Sequence, residues 1–157
     1  VGETRQNSVM FSTITNYFQK NDKRMSFEDV QFAIQHPSDF LIINTLPINE
    51  QDCLIKNTLA YHMEESIIND LLNQYAMGSK KIVVYGKHCQ DDTADKKCKQ
   101  LVGLGFTEIY IYNGGMFEWM LLQDIYGFDE FPSTRKVLDI LKYKPSRTFG
   151  IHRIGYY

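Results

Sequence analysis

Apolar residues recur along this chain with two different periods, and the switches between them mark out its elements. Ser26 is a helix-capping residue with Asp29 three positions later, and Val30, Phe32 and Ile34 follow at helical spacing. The predicted helix stops before His36-Pro37, because a residue preceding proline is pushed out of the helical region. Phe40-Leu-Ile-Ile-Asn44 is a short apolar run and reads as a buried strand. Pro47 to Thr58 reads as a loop and Leu59 to Met63 as a second short strand. Glu64 to Met77 is predicted helical, with Ile67, Ile68, Leu71, Leu72 and Tyr75 on the core face and Gly78-Ser79 closing it. Lys81 to Tyr85 is the next strand. Its uninterrupted Ile-Val-Val-Tyr points to a central position covered on both sides. A helix then starts at Asp92 or Thr93, turns Cys98, Leu101, Val102 and Leu104 inward and ends at Gly105. Thr107 to Tyr112 is a strand, Phe117 to Tyr126 a helix, Gly127 to Thr134 a turn region, and Lys136 to Leu141 one more helix.

Strands alternating with helices predict a single α/β domain with a mainly parallel sheet and helices on both faces. The predicted domain runs from 26 to 134. Residues 1–25 form a polar N-terminal arm with Phe11, Tyr17 and Phe18. Residues 135–157 form a C-terminal extension, of which Lys142 to Tyr157 reads as extended chain on the surface. Within it Lys142, Lys144, Arg147 and Arg153 have no acidic residue between them, and Tyr143, Phe149, Tyr156 and Tyr157 are interleaved.

Composition narrows the function classes. A net charge of −2 and a pI near 6.1 give no electrostatic reason to expect nucleic-acid binding. No apolar run approaches the ~18 residues of a membrane span, and no signal peptide is visible, so an intracellular, cytoplasmic protein is expected. The three cysteines, Cys53, Cys89 and Cys98, are odd in number and lack metal-ligand spacing, which predicts neither a disulfide framework nor a zinc site. No metal or other cofactor is expected.

The run Leu104-Gly-Phe-Thr-Glu-Ile-Tyr-Ile-Tyr-Asn-Gly-Gly-Met-Phe-Glu-Trp119 resembles the Leu-Gly-Phe, strand, Gly-Gly, Trp block of rhodanese-like domains. Phe40 to Asn44, with Glu50 and Leu54-Ile55 beyond it, is similar to that family's first strand and following loop. The resemblance spans about Ser26 to Pro132 and implies a rhodanese-like three-layer α/β domain. It also implies a sulfurtransferase site: a cysteine directly after the third strand whose thiolate accepts sulfane sulfur, its charge stabilised by loop amides. A related phosphatase branch uses Cys-x5-Arg. This chain departs from both patterns. Gly86 stands where the cysteine belongs, Asn44-Thr-Leu replaces the usual Asp-x-Arg, and the loop is about two residues longer than a standard one.

The candidate active-site loop is therefore Gly86, Lys87, His88, Cys89, Gln90, Asp91, Asp92 and Thr93, with Cys89 as the candidate catalytic nucleophile. Counting from Cys89, the phosphatase arginine position holds Asp95. A cysteine nucleophile needs cations or amides to stabilise its thiolate, and Asp91, Asp92 and Asp95 oppose that. At about 5 Å and an effective dielectric near 20, one carboxylate costs an incoming anion roughly 3 kcal/mol, about two orders of magnitude in affinity. Lys87 offsets one of the three. The simpler reading is that Asp91 or Asp92 caps the helix and Cys89 is an ordinary loop thiol.

The remaining candidates read structurally. Cys98 is expected in the core, and Cys53 lies in a loop from which sequence cannot place it near Cys89. His62 points either toward the site or to solvent. Met116, Phe117 and Trp119 either wall the loop or pack the last helix on the sheet. Gly114 and Gly115 are expected to supply a turn with positive φ.

Two functions from different classes follow. One is a catalytically inactive rhodanese-like module that binds protein partners through its aromatic and basic terminal arms, such side chains being good interface anchors. The other is a sulfurtransferase or thiol-redox enzyme that uses Cys89.

Overall fold

The computed structural model describes residues 23–150. Four strands form one parallel sheet: β1 (Arg24–Met25), β2 (Phe40–Asn44), β3 (Lys81–Tyr85) and β4 (Ile109–Tyr112), in the order β1-β4-β3-β2. The helices are α1 (Phe27–Gln35), α2 (Tyr61–Asn73), α3 (Thr93–Gly103) and α4 (Gly115–Tyr126), with 3-10 turns at Ile48–Glu50 and Ile140–Tyr143.

Chain direction decides which face each helix covers. The path β2→β3→β4 moves steadily across the sheet, so right-handed crossovers put α2 and α3 on one face. The connection β1→β2 runs the opposite way and puts α1 on the other. The side chains divide accordingly. Leu41, Ile43, Ile82, Val84, Ile109 and Ile111 pack with Ile68, Cys98 and Leu101 on the α2/α3 face. Ile42, Val83, Tyr85 and Tyr112 pack with Val30, Met116, Trp119, Phe131 and Tyr143 on the α1/α4 face. Ile82 through Tyr85 are all 0% exposed, as a central strand covered on both sides requires.

Local sequence explains the element ends. Ser26 accepts from the Asp29 amide and Asp29 accepts from the Ser26 amide, a complete capping box. α3 ends with Gly105 at φ +103°, the Gly105 N–H donating to Val102 O and the Phe106 N–H to Leu101 O, which is a Schellman motif. α2 ends the same way: the Tyr75 N–H donates to Leu72 O and the Ala76 N–H to Leu71 O, with Tyr75 at φ 52°.

Several expectations need correction. Leu59 to Met63 is not a strand. Leu59 donates its N–H to Ile42 O beside the single Ile42–Thr58 bridge, and α2 starts at Tyr61. Tyr75 is not a core residue; it sits past the end of α2 and is 88% exposed. Leu104 is exposed too, because α3 ends before it could face the sheet. Residues 136–141 do not form an α-helix. Residues 136–143 run as a strap whose Val137, Ile140 and Tyr143 pack on the α1/α4 core, while Leu138 and Leu141 face solvent. Arg24–Met25, placed by sequence in a polar arm, adds a short edge strand beside β4. Phe11, Tyr17, Phe18, His152, Arg153, Tyr156 and Tyr157 lie outside the described residues.

Tyr75 carries a Cβ in the left-handed region at an exposed C-terminal cap, where only glycine avoids the steric penalty. Tyr75→Gly is expected to stabilise the protein by about 0.5–1 kcal/mol after the loss of chain entropy is discounted. Urea unfolding of both proteins checks this, and a destabilised variant would refute it.

Candidate functional site

Asn44, Tyr85 and Tyr112 end β2, β3 and β4 in register, so the connections that follow meet at one edge of the sheet. The C-terminal edge of a parallel sheet is the usual place for a ligand in α/β folds. The loop after β3 is held there from both sides. Thr45 donates its N–H to Tyr85 O at 3.0 Å. On the other flank Met116 donates to Gly86 O at 3.1 Å and Phe117 to Lys87 O at 2.9 Å, so the first amides of α4 are consumed by loop carbonyls. Gly115 makes this approach possible. Its φ is +63°, and a Cβ there would stand 2.5 Å from Gly86 O. Gly114, by contrast, has an ordinary helical φ of −63°.

Asp91 fills the centre of the loop. Its Oδ2 accepts from the Lys87 N–H at 3.0 Å, and its Oδ1 accepts from the Thr93 N–H at 3.0 Å and the Thr93 hydroxyl at 2.7 Å. Thr93 Oγ1 lies 2.7 Å from Thr45 Oγ1. Burial opposes ionisation of Asp91, but the hydrogen bonds from Lys87 and Thr93, with His88 nearby, outweigh it and hold the carboxyl below the usual carboxylate range. A side chain on residue 86 has no room: a Cβ at Gly86 would lie 2.8 Å from Asp91 Oδ2 and 3.2 Å from Thr45 Oγ1.

The other candidates are spread around this centre. Cys89 is exposed at the outer turn of the loop. His88 accepts the Gln90 N–H on Nδ1 at 3.2 Å. The Lys87 ammonium turns away to Glu50, 3.0 Å off. Asp92 precedes α3 without capping it by its side chain, and pairs with Lys96 at 3.1 Å near the surface. Asp95, at the phosphatase arginine position, pairs with Arg24 at 3.5 Å. Of the three loop acids only Asp91 faces the cradle. Sequence reasoning missed Thr45. The one available signal was its place just after β2, which pairs in parallel register with β3.

Cys53 and Cys98 are buried free thiols, and Cys53 donates to Arg135 O at 3.2 Å. His62 is exposed on the first turn of α2, lining a groove shared with α3. Trp119 and Met116 are fully buried, with Trp119 Nε1 donating to Pro132 O at 3.1 Å, so they pack α4 on the sheet. Among the described residues no group of three or more His, Cys, Asp or Glu is placed to hold a metal ion, and no helix is long and apolar enough to cross a membrane.

Two outcomes follow. Gly115→Ala combines positive-φ strain with collision against backbone and is expected to cost about 3 kcal/mol, read from urea unfolding. Asp91→Asn is expected to cost about 1 kcal/mol at pH 7. Because folding depresses this carboxyl's pKa, its stabilisation is complete above the unfolded-state value near 3.9 and is lost as pH falls through the lower folded-state value. The stability gap between the wild type and the Asp91→Asn variant must therefore close below about pH 4; a pH-independent gap would contradict the assignment.

Comparisons with known proteins place this geometry. A rhodanese-like domain model matches residues 28–122. Among solved structures, the BH2092 protein of Bacillus halodurans superposes with a TM-score of 0.53 at 16% identity, over 74% of this chain and 82% of that one. The Alr3790 protein of Anabaena sp. gives 0.52 at 17% identity, over 75% and 97%. Saccharomyces cerevisiae Ygr203w, described as a homolog of single-domain rhodanese and the Cdc25 phosphatase catalytic domain, gives 0.51 at 16% identity, over 75% and 90%. At these identities the superpositions show shared fold. No curated protein matches the sequence significantly. With more than half of its length matched and the parallel sheet, its flanking helices and the loop after β3 in place, the chain belongs to the rhodanese-like domain family.

Proposed function

We propose that this protein is a rhodanese-like module without sulfurtransferase activity that acts by binding a protein partner. The observation that carries the first half is the position of the Asp91 carboxylate, 2.8 Å from where a Cβ on residue 86 would stand. The nucleophile's place is glycine, and the space beside it and two of the loop's amides, those of Lys87 and Thr93, are taken by an internal anion. An external thiosulfate would have to displace a carboxylate tethered to the same loop, against charge-assisted hydrogen bonds worth roughly 1.5–3 kcal/mol each. Cys89 offers no substitute, because the Lys87 and Thr93 amides donate to Asp91 and the thiol lies outside them. A phosphatase reading lacks its cation, since Asp95 is paired with Arg24.

The binding role rests on the exposed apolar surface. Leu121, Ile125 and Tyr126 of α4 and Leu138, Leu141 and Phe149 of the C-terminal extension are all exposed. They are six of the twelve large apolar residues exposed among the described ones, and their place on one helix and the adjoining strap suits an interface. Lys144 and Arg147, exposed in the extension, would favour an acidic partner surface.

A thiosulfate:cyanide assay is expected to show no turnover above the uncatalysed rate for the wild type, and none for Cys89→Ser. Turnover that disappears in Cys89→Ser would establish the sulfurtransferase instead. A chain ending at Pro145 keeps Tyr143 in the core and should fold, yet hold its partner more weakly in a pull-down, because Arg147 and Phe149 are gone. An unchanged partner set would remove the residues after Pro145 from the interface.

A further inference from the structure

α4 is apolar on its outer side as well as its inner one. Met116, Trp119 and Met120 are buried against the sheet, while Phe117, Leu121 and Ile125 recur at every fourth position away from it, with Leu121 and Ile125 exposed and Phe117 half-buried. A surface helix ordinarily turns a polar side to solvent, and one that is apolar on both sides belongs in an interior. Residues spaced by four form a ridge of the kind that packs into the groove of another helix.

The charges along this ridge are polarised. The strap runs back along α4. Lys136 lies over the Phe128 ring at 5.4 Å, just past the helix C-terminus, and Tyr143 lines a small cavity with Lys87, whose carbonyl accepts the Phe117 N–H at the other end. Lys144, directly after Tyr143, therefore stands at the N-terminal end of α4, and Asp124, Asp129 and Glu130 stand at its C-terminal end. Lys136 offsets one of these three acids. All four of Asp124, Asp129, Glu130 and Lys144 are exposed and form no ion pair among the described residues. The last turn of α4 carries Asp124 and no cation, the reverse of what a helix dipole favours.

An occupant that satisfies this face carries an apolar ridge with the opposite order of charge along it. A second copy of the chain, turned end for end about a two-fold axis, has that pattern, because such an interface is self-complementary. The net charge of −2 leaves little repulsion between copies.

We propose that the protein forms a symmetric dimer in which α4 of one copy packs antiparallel on α4 of a second. Leu121 lies at the two-fold axis, Phe117 meets Ile125 of the second copy, and Asp124 faces Lys144 of the second copy. This names the occupant of the binding surface argued above and rests on that reading.

Sedimentation velocity of the full chain between about 1 and 200 µM is expected to show a reversible monomer–dimer equilibrium with a dissociation constant on the order of 10 µM. Ile125→Glu should leave only monomer over that range. Asp124→Lys and Lys144→Glu should each weaken the dimer about tenfold, because a reversal acts at both symmetry-related contacts, and the double variant should recover most of that loss. All three positions are exposed, so the variants should keep the wild-type melting temperature as monomers. A wild type that stays monomeric, a dimer that survives Ile125→Glu, or charge reversals whose effects add instead of cancelling would each overturn the proposal. A monomeric wild type that still retains another protein in a pull-down would remove the second copy and leave the binding role in place.

Discussion

The Asp91 carboxylate, held by the amides of Lys87 and Thr93, is the interaction around which the loop after β3 is organised. A loop that leaves a strand and enters a helix carries free N–H groups on its inner side, and these must be satisfied by a ligand, by water or by the chain itself. Here the chain satisfies part of that set itself: the first amides of α4 go to the carbonyls of Gly86 and Lys87, and the amides of Lys87 and Thr93 go to Asp91. Gly86 and Gly115 are both fixed by this arrangement: one because the carboxylate stands where its side chain would be, the other because the loop carbonyl does.

That accounting separates fold from chemistry within one family. The sheet order, the crossovers and the buried Trp119 depend on apolar burial and are indifferent to what occupies the loop. The chemistry depends on a few donors aimed at an incoming charge. A loop that supplies a charge internally to its own donors holds its geometry by the same interactions. The same reasoning explains why Asp92 and Asp95 matter less than a count of acids suggests. Each is drawn to the surface or to an edge by a cation, Lys96 or Arg24, and only the acid lacking such a partner turns inward.

The fold was largely legible because burial writes periodicity into sequence. The Phe40–Asn44 and Lys81–Tyr85 strands and the Ser26 capping box stand as the pattern predicts, and the strand predicted over Thr107 to Tyr112 forms over Ile109–Tyr112. The misreadings have specific causes. Tyr75 occupies a left-handed cap that normally calls for glycine, so nothing in the sequence announced the end of α2. Leu59 to Met63 reads as a strand because Leu59 packs against the α2/α3 core, though a single bridge is all the sheet offers there. In the strap, Val137, Ile140 and Tyr143 recur every third residue. That spacing matches a 3-10 turn and extended chain better than the 3.6 of an α-helix. In the loop, residue types were readable but their directions were not. That three acids oppose an anion is plain from composition; that only Asp91 faces the amides depends on the fold of the loop.

The strap also shows why the C-terminal extension is more than a covering tail. Ser133 bridges to Ile55, Thr134 donates its N–H to Leu54 O, and Arg135 accepts from Cys53, so the chain after α4 is tied to the loop after β2. Tyr143 then enters the core beside Tyr85, whose hydroxyl accepts the Ile55 N–H at 3.1 Å and lies 2.8 Å from the Thr58 hydroxyl. Tyr85 and Tyr143 are buried to a similar degree. Tyr85 ends β3 and needs its partners to fix the loop from Leu54 to Thr58. Tyr143 anchors the strap from inside, buried beside Cys53 and Tyr85, so the first half of the extension is held by the same apolar burial that holds the sheet.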